Sequence, residues 1–190
     1  MTDSVLIISG TEKGQESLSS LVGTYLTGEP DTVATCCEAR RLLIEREYEL
    51  VLIDSPLPDE FGQDIACEIC RNSTAGVIMM VKSELADEIS SSVEDFGVFV
   101  LAKPIRRRLF YQALKLVSAA RYRLIVLQAE NIKLHQKIKE VRLVDRAKYT
   151  LMQYLKMTEP QAHRFIEKNA MDMRITRREV AEGILRTYES

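Results

Sequence analysis

The sequence predicts an α/β protein built on a parallel β-sheet, followed by a separate helical part. Short apolar, β-branched runs alternate with amphipathic stretches over the first 120 of its 190 residues, and the remainder shows only helical spacing. Strands that are apolar along their whole length are typical of sheets covered by helices on both faces. A hydrophobic content of 46% allows a sizeable core and excludes a disordered chain.

Five runs are predicted as strands, each followed by a helix, and together they predict a doubly wound sheet. The first helix has apolar residues at helical spacing at Leu18, Leu21, Val22, Tyr25 and Leu26. In such sheets the functional residues follow the carboxyl ends of the strands. The five runs are residues 5–8, 32–36, 50–53, 77–81 and 98–101.

The net charge of −2 hides an uneven distribution. Of the 26 Lys and Arg and 28 Asp and Glu, residues 1–120 hold 11 and 19, a balance of −8, and residues 121–190 hold 15 and 9, a balance of +6. This asymmetry indicates that the basic part binds a polyanion. The apolar runs are far shorter than the ~20 residues of a membrane span, so we expect a cytoplasmic protein without a membrane segment.

All four cysteines lie in the acidic part, and Cys67 and Cys70 form a C-x-x-C motif. Such a motif can be redox-active or half a metal site, but no second pair accompanies it and both histidines lie far along the chain. The same spacing fits the buried face of a helix beside Ile65 and Ile69. We therefore expect structural thiols and no metal site. A thiol redox enzyme is an alternative, which requires accessible thiols of low pKa.

Two fragments at strand ends, VLIDSPLPDEFG at 51–62 and AKPI at 102–105, resemble response-regulator receiver domains, which have a flavodoxin-like fold. The resemblance implies that Asp54 occupies the phosphoacceptor position and Lys103 the position that binds phosphoryl oxygens. In that family, two acidic residues after the first strand hold Mg²⁺, a Thr or Ser follows the fourth strand, and an aromatic residue in the fifth strand acts as a switch. Those positions hold Ser9 and Gly10, Val81, and Val100.

These departures favour a receiver-like domain over residues 1–120 that does not signal by phosphorylation. Mg²⁺ needs oxygen ligands, and phosphoryl transfer depends on the charge that Mg²⁺ neutralises. With Ser9 and Gly10 in place of the acidic pair, we expect no Mg²⁺ and no other cofactor. Asp54 and Lys103 are interpreted as a vestigial site that forms a structural ion pair.

A helical pattern without Gly or Pro runs between Pro104 and Pro160. Over residues 110–141 its apolar positions recur in alternating steps of three and four, the heptad pattern of a coiled coil. Leu at d positions and a single Asn at an a position favour a parallel dimer, so we predict a homodimer through 110–141. A helix packed within its own chain is the alternative. The predicted coil positions are Leu124, Leu127, Asn131, Leu134, Ile138 and Val141.

Residues 142–190 predict three short helices, with Thr158 and Thr176 as N-caps. The segment contains Arg146-Ala147-Lys148, Ala170-Met171-Asp172 and Val180-Ala181-Glu182, at a spacing that resembles the ANTAR domain, the RNA-binding module of bacterial transcription antiterminators. The resemblance implies a dimer that presents two three-helix bundles to a pair of small RNA hairpins in a nascent leader transcript. Holding that RNA prevents the terminator hairpin from forming.

Basic and aromatic side chains of this segment supply what RNA binding requires. Cationic side chains neutralise phosphates, and tyrosines such as Tyr149 and Tyr154 can stack on unpaired bases. The candidate RNA-binding residues are Arg146, Lys148, Tyr149, Arg164, Lys168, Arg174, Arg177 and Arg178.

The sequence thus predicts a non-enzymatic, dimeric, RNA-binding antiterminator controlled through a degenerate receiver domain, with a sensor or ligand-binding protein as a further partner. The alternative is a response regulator that is phosphorylated at Asp54 and binds duplex DNA. Its recognition helix would begin at Arg177 and Arg178.

Overall fold

The computed structural model describes residues 4–23 and 28–188, which fall into two compact units, residues 1–126 and 127–190. We call them the N-terminal unit and the C-terminal unit. Tyr25 and Leu26 of the predicted first helix lie outside the described residues. The α-helices and strands are β1 (Val5–Ser9), α1 (Glu12–Val22), β2 (Asp31–Val33), α2 (Cys36–Glu45), β3 (Leu50–Asp54), α3 (Gln63–Asn72), β4 (Gly76–Lys82), α4 (Ala86–Val93), β5 (Phe99–Lys103), α5 (Arg107–Leu155), α6 (Glu159–Met173) and α7 (Arg177–Tyr188).

The five strands form one parallel sheet in the order β2-β1-β3-β4-β5. Alternate strand residues point to opposite faces, so each face has its own apolar core. Helices α2, α3 and α4 cover one core, and α1 and α5 cover the other. The predicted fold class, a doubly wound sheet followed by a long helix and further helices, is confirmed.

The second strand is shorter than predicted and ends at Val33, not at Cys36. Thr35 is the N-cap of α2, and its side chain accepts a hydrogen bond from the Glu38 backbone N–H. An N-cap residue has extended backbone angles, like a strand residue, although it starts a helix. The predicted strand therefore extends three residues beyond the observed one. Cys36 therefore begins a helix.

Helix α5 has two differently used parts. Phe110, Ala113, Leu114 and Val117 are buried in the core that α1 and α5 share with the sheet. The first turns of α5 pack on the sheet, so the early apolar positions of the heptad pattern are buried within the same chain. From Leu124 onward the apolar stripe is exposed.

The C-terminal unit packs the end of α5 against α6 and α7 through small and aliphatic side chains. The Thr158 N–H donates to Gln161 Oε1 at 2.9 Å at the start of α6. At the start of α7 the Thr176 N–H donates to Glu179 Oε2 at 2.7 Å, and the Glu179 N–H donates to Thr176 Oγ1 at 3.2 Å. Both predicted N-caps are confirmed. The buried residues of this unit are Ala147, Leu151, Ala162, Ile166, Ala170, Val180, Ala181 and Ile184.

No helix among the described residues combines the length and apolar character that crossing a membrane requires.

Candidate functional site

Asp54 lies at the carboxyl end of β3, and both of its carboxylate oxygens are engaged. Ser9 Oγ donates a hydrogen bond to Asp54 Oδ2 at 2.8 Å. Lys103 Nζ lies 2.6 Å from Asp54 Oδ1 and donates to the Ser55 carbonyl oxygen at 2.5 Å. The parallel register pairs Ser9 with Asp54 across β1 and β3, which brings the two side chains together. The expected Asp54–Lys103 pair is present, and a serine completes it.

The two positions that are acidic in receiver domains provide no carboxylate. Ser9 is fully buried, and its carbonyl oxygen accepts a hydrogen bond from Gln15 Nε2 at 2.9 Å. A Cβ at Gly10 would lie 2.7 Å from Pro58 Cδ, so an acidic residue there would force Pro58 to move. Ser9, Gly10 and Asp54 together offer a single carboxylate. That set does not fit Mg²⁺, which binds through several oxygen ligands in a near-octahedral arrangement.

The two positions where the resemblance implies a hydroxyl and an aromatic ring hold valines. Val81, near the carboxyl end of β4, is fully buried, and Val100 of β5 packs on the same core. A valine side chain cannot form a hydrogen bond to a phosphoryl oxygen. It also lacks the aromatic ring whose position changes on phosphorylation. Neither valine can take the role that the resemblance implies for its position.

Cys36, Asp59 and Glu60 form a group of three possible metal-ligating side chains, whose ligand atoms lie within 4.8 Å of one another. Asp59 accepts hydrogen bonds from the backbone N–H groups of Cys36 and Cys37 at 3.1 and 3.0 Å, and so caps the start of α2. Glu60 is paired with Arg40 at 2.5 Å. Burial raises the pKa of the Cys36 thiol well above its usual range. Asp59 and Glu60 thus both have structural roles, at the start of α2 and in an ion pair with Arg40.

Cys67 and Cys70 lie on α3 and are partly buried. Burial raises the pKa of both thiols, that of Cys70 to about 11. A redox-active thiol needs the opposite shift, because the thiolate is the reactive form. The structure therefore favours the structural interpretation of this motif over a thiol redox enzyme.

Lys148 is the one predicted RNA-binding cation that is mostly buried, with 17% of its side chain exposed. Its Nζ lies 2.8 Å from Asp145 Oδ1 and 2.9 Å from Glu159 Oε1. Hydrogen bonds to these two carboxylates raise the pKa of Lys148. Since Glu159 is the first residue of α6, the contact ties α6 to the end of α5.

The other predicted basic residues are exposed, and Arg177 and Arg178 also lie close to acidic side chains. Arg177 Nη1 lies 3.6 Å from Glu167 Oε1, and Arg178 Nε lies 2.8 Å from Glu182 Oε1. Arg174 follows α6 in the left-handed conformation, with φ of 54°. The exposed cations are Arg146, Arg164, Lys168, Arg174, Arg177 and Arg178.

The two tyrosines differ in their surroundings. Tyr149 is 69% exposed on α5, which suits stacking on a base. Tyr154 is 53% exposed, and its ring centroid lies 5.5 Å from that of Tyr188 at an interplanar angle of 32°. Tyr154 thus already has an aromatic partner within the C-terminal unit.

Sequence reasoning missed the hydroxyl of Ser9 as a partner of Asp54. It also missed Glu159 as a partner of Lys148. The alignment of strand ends at one sheet edge could have indicated the first contact. Nothing in the spacing of the helices indicates the second, because it depends on how α5 and α6 pack.

Comparisons with known proteins give matches to the C-terminal unit and to a relative that covers most of the chain. A family model for the ANTAR domain matches residues 133–185. Transcriptional regulatory protein PdtaR of Mycobacterium tuberculosis, in strains H37Rv and CDC 1551, is 29% identical over 150 residues, which are 79% of this chain and 73% of the relative.

Solved structures resemble the N-terminal unit. A CheY-like receiver domain of Methylobacillus flagellatus has a TM-score of 0.53 at 19% identity, covering 62% of this chain and 99% of that one. A receiver domain protein of Clostridium thermocellum has a TM-score of 0.55 at 20% identity, with 66% and 98% covered. At such identities these likenesses show the fold alone.

Proposed function

Because this chain joins a receiver-fold domain to a C-terminal ANTAR domain and is homologous to PdtaR, we propose that it is an RNA-binding transcription antiterminator that acts as a dimer. The ANTAR match lies within the part of the chain whose charge balance is +6, and this overlap is the observation that carries the proposal. Neither unit is proposed to be an enzyme. Because its proposed target is a nascent transcript, we propose that the protein acts in the cytoplasm.

The exposed surface of α5 supports RNA as the polyanion. Arg142, Arg146 and Tyr149 are all exposed and follow one another at steps of four and three, so they share one face of the helix. Two cations beside an aromatic ring suit an unpaired loop, where phosphates and bases are both accessible.

A second exposed set lies on α6. Arg164, Lys168 and Met171 are four and three residues apart and exposed. This face adds two cations and an apolar side chain that is 78% exposed. Multiple phosphate contacts of this kind make binding strongly dependent on salt.

The exposed stripe of α5 supports dimerisation. Leu124, Leu127, Leu134, Ile138 and Val141 each leave about half of the side chain exposed, between 48% and 62%. Large apolar side chains at heptad spacing bury this area when two helices pair. A dimer would present two C-terminal units to two hairpins, and two weak contacts become one tight contact when their spacing matches.

We further propose that control does not pass through phosphate on Asp54. The support is the closed set of contacts around its carboxylate and the poor fit of the site to Mg²⁺. A sensor or ligand-binding protein that docks on the receiver-like domain is the proposed source of the signal.

The test is binding of the full chain to a labelled RNA carrying two hairpins, compared with a DNA duplex of equal length, by fluorescence anisotropy across a salt series. We expect the RNA to bind at least about tenfold more tightly, with an affinity that falls steeply with salt. Arg164→Gln with Lys168→Gln should weaken binding and flatten the salt dependence. Lys115→Gln, an exposed change in the N-terminal unit, is the control.

A preference for the DNA duplex would instead support the phosphorylation-dependent, DNA-binding alternative. Equal weakening by the control and by the α6 variants would show that charge alone, and not this surface, determines binding.

A further inference from the structure

Positive charge is concentrated in the last part of the N-terminal unit, ahead of the ANTAR match. Residues 96–129 contain seven Lys and Arg and no Asp or Glu. Residues 1–95, by contrast, contain 6 Lys and Arg and 19 Asp and Glu. The N-terminal unit is therefore acidic over most of its length and basic over the segment that forms the first turns of α5.

Most of these seven cations have no acidic partner. Lys103 and Arg121 are paired with Asp54 and Glu49. The other five are exposed, and no Asp or Glu among the described residues lies within ion-pair distance of them. Cations at the start of a helix are also opposed by the helix dipole. The fold thus does not explain these charges, whereas a bound polyanion would offset their repulsion. The five are Arg106, Arg107, Arg108, Lys115 and Arg123.

The exposed side of α5 in this unit forms one stripe. Arg108, Lys115 and Tyr122 are seven residues apart and exposed, so they share one face of the helix. At a rise of 1.5 Å per residue the stripe is roughly 21 Å long. In the predicted heptad these three residues lie opposite the seam of a and d positions, so pairing of two α5 helices leaves this face open.

Aromatic rings lie among the cations of this face. Tyr122 is 71% exposed. Arg107 Nε donates a hydrogen bond to Tyr111 Oη at 2.8 Å, and Arg107, Arg108, Tyr111 and Lys115 line an open groove. Cations interleaved with aromatic rings are typical of surfaces that bind single-stranded nucleic acid, where phosphates meet the cations and bases stack on the rings. An acidic protein would match the cations alone and would leave the exposed ring of Tyr122 without a role.

We propose that this face of α5, formed by Arg107, Arg108, Tyr111, Lys115 and Tyr122, binds single-stranded RNA that flanks the hairpins. The inference rests on RNA as the proposed target and adds a second contact, in the N-terminal unit. The acidic remainder of that unit repels RNA, which confines the contact to this helix. The receiver-like domain thus takes part in RNA binding itself.

The test compares two labelled RNAs, one with two hairpins alone and one that adds oligouridine flanks of ~12 nucleotides on both sides. Binding to the full chain is measured by fluorescence anisotropy across a salt series. We expect the flanks to raise the affinity of the wild-type chain at least about tenfold.

Arg108→Gln with Lys115→Gln should remove most of this gain. It should also lower the slope of log affinity against log salt by about 1.4, since each phosphate contact on a single strand contributes about 0.7. The affinity for the hairpins alone should not change, so Lys115→Gln remains a neutral control for that RNA. Tyr122→Gln should reduce the gain about fivefold and leave the salt slope unchanged, because stacking releases no counterions.

Two further variants are matched controls. Lys13→Gln with Arg41→Gln removes two exposed cations from α1 and α2, the same change in net charge, and should leave the gain unchanged. Arg108→Lys with Lys115→Arg keeps both charges on the stripe and should keep the gain.

Equal affinity of the wild type for the two RNAs, with hairpin binding intact, would overturn this inference. Equal losses of the gain in the α5 variant and in the α1 and α2 control would also overturn it, because net charge would then explain the effect. An α5 variant that changes the sedimentation coefficient of the free chain but keeps the gain would show that this face binds another protein chain. If the wild type does not bind the hairpins, the proposed function is contradicted, and the flanked RNA still reports binding by this face.

Discussion

Ser9 Oγ donates a hydrogen bond of 2.8 Å to Asp54 Oδ2, across the carboxyl ends of two neighbouring parallel strands. In receiver domains, which this sequence resembles, the place of Ser9 belongs to an acidic residue that binds Mg²⁺. Here the hydroxyl satisfies the aspartate directly, and Lys103 satisfies its other oxygen. The polar site therefore contributes to the stability of the sheet edge.

Ser9→Ala and Asp54→Asn should each destabilise the N-terminal unit, by about 1–2 kcal/mol, because each leaves a polar partner at this mostly buried site without its contact. The double variant should lose less than the sum of the two, with a coupling energy of about 1 kcal/mol. Urea unfolding followed by circular dichroism measures all four proteins. Additive losses would show that the hydrogen bond contributes nothing.

Incubation with acetyl phosphate and Mg²⁺ should leave the intact mass of the protein unchanged. The site has one carboxylate in place of three, and valines occupy the positions of the hydroxyl and the aromatic ring. Intact mass spectrometry is the measurement, with a receiver domain that has the complete acidic set as the positive control. A stoichiometric adduct that disappears in Asp54→Asn would contradict the proposed phosphate-independent control.

The Arg40–Glu60 ion pair should make the N-terminal unit sensitive to acid. The Arg40 guanidinium holds the pKa of the Glu60 carboxyl below its ordinary value of 4.5. A carboxyl whose pKa is lower in the folded state stabilises the fold above its unfolded pKa, and this contribution is lost as the pH falls through the folded value. Between about pH 5 and about pH 3, the melting temperature of Glu60→Gln should fall less than that of the wild type.

The control for this titration is Glu45→Gln, an exposed change at the end of the same helix α2 that carries Arg40. It should leave the acid dependence as it is in the wild type. If the melting temperatures of Glu60→Gln and of the wild type fall equally on acidification, the Arg40–Glu60 pair has no role in acid stability.

Substitutions at Arg146 and Lys148 should affect different properties, RNA affinity in the first case and stability in the second. Arg146→Met removes an exposed cation and should weaken hairpin RNA binding about tenfold. Lys148→Met removes the contact between α5 and α6 and should destabilise the C-terminal unit by up to about 1 kcal/mol, with a smaller effect on affinity. Anisotropy and thermal melts on the same preparations give both quantities. The opposite assignment of effects would mean that Lys148 contacts RNA.

Leu134→Glu should convert the predicted dimer to a monomer. Leu134 is 62% exposed in the single chain, and a charge at this position would be buried at a d site of the coil. Gln136→Glu introduces the same charge two residues away, off the stripe, and should preserve the dimer. Sedimentation velocity distinguishes the two states, and an unchanged sedimentation coefficient in Leu134→Glu would exclude this stripe as the interface.

The amino-acid sequence by itself determined the sheet, because its strands are apolar along their length and its helices carry their own caps. Runs such as 50–53 and 77–81, and caps such as Thr158, are local patterns that need no knowledge of distant residues. The pairing of Asp54 with Lys103 was also accessible, since both follow strands that end at one edge of the sheet.

Only the tertiary structure decided which side chains of these patterns remain on the surface. Val117 and Leu124 both occupy apolar positions of the heptad pattern. Val117 is 8% exposed because the sheet covers it, whereas Leu124, which the sheet does not cover, is 52% exposed. The ion pair between Lys148 Nζ and Glu159 Oε1, at 2.9 Å, also depends on the packing of α6. Burial and ion pairing depend on residues remote in the chain, and periodicity carries no information about them.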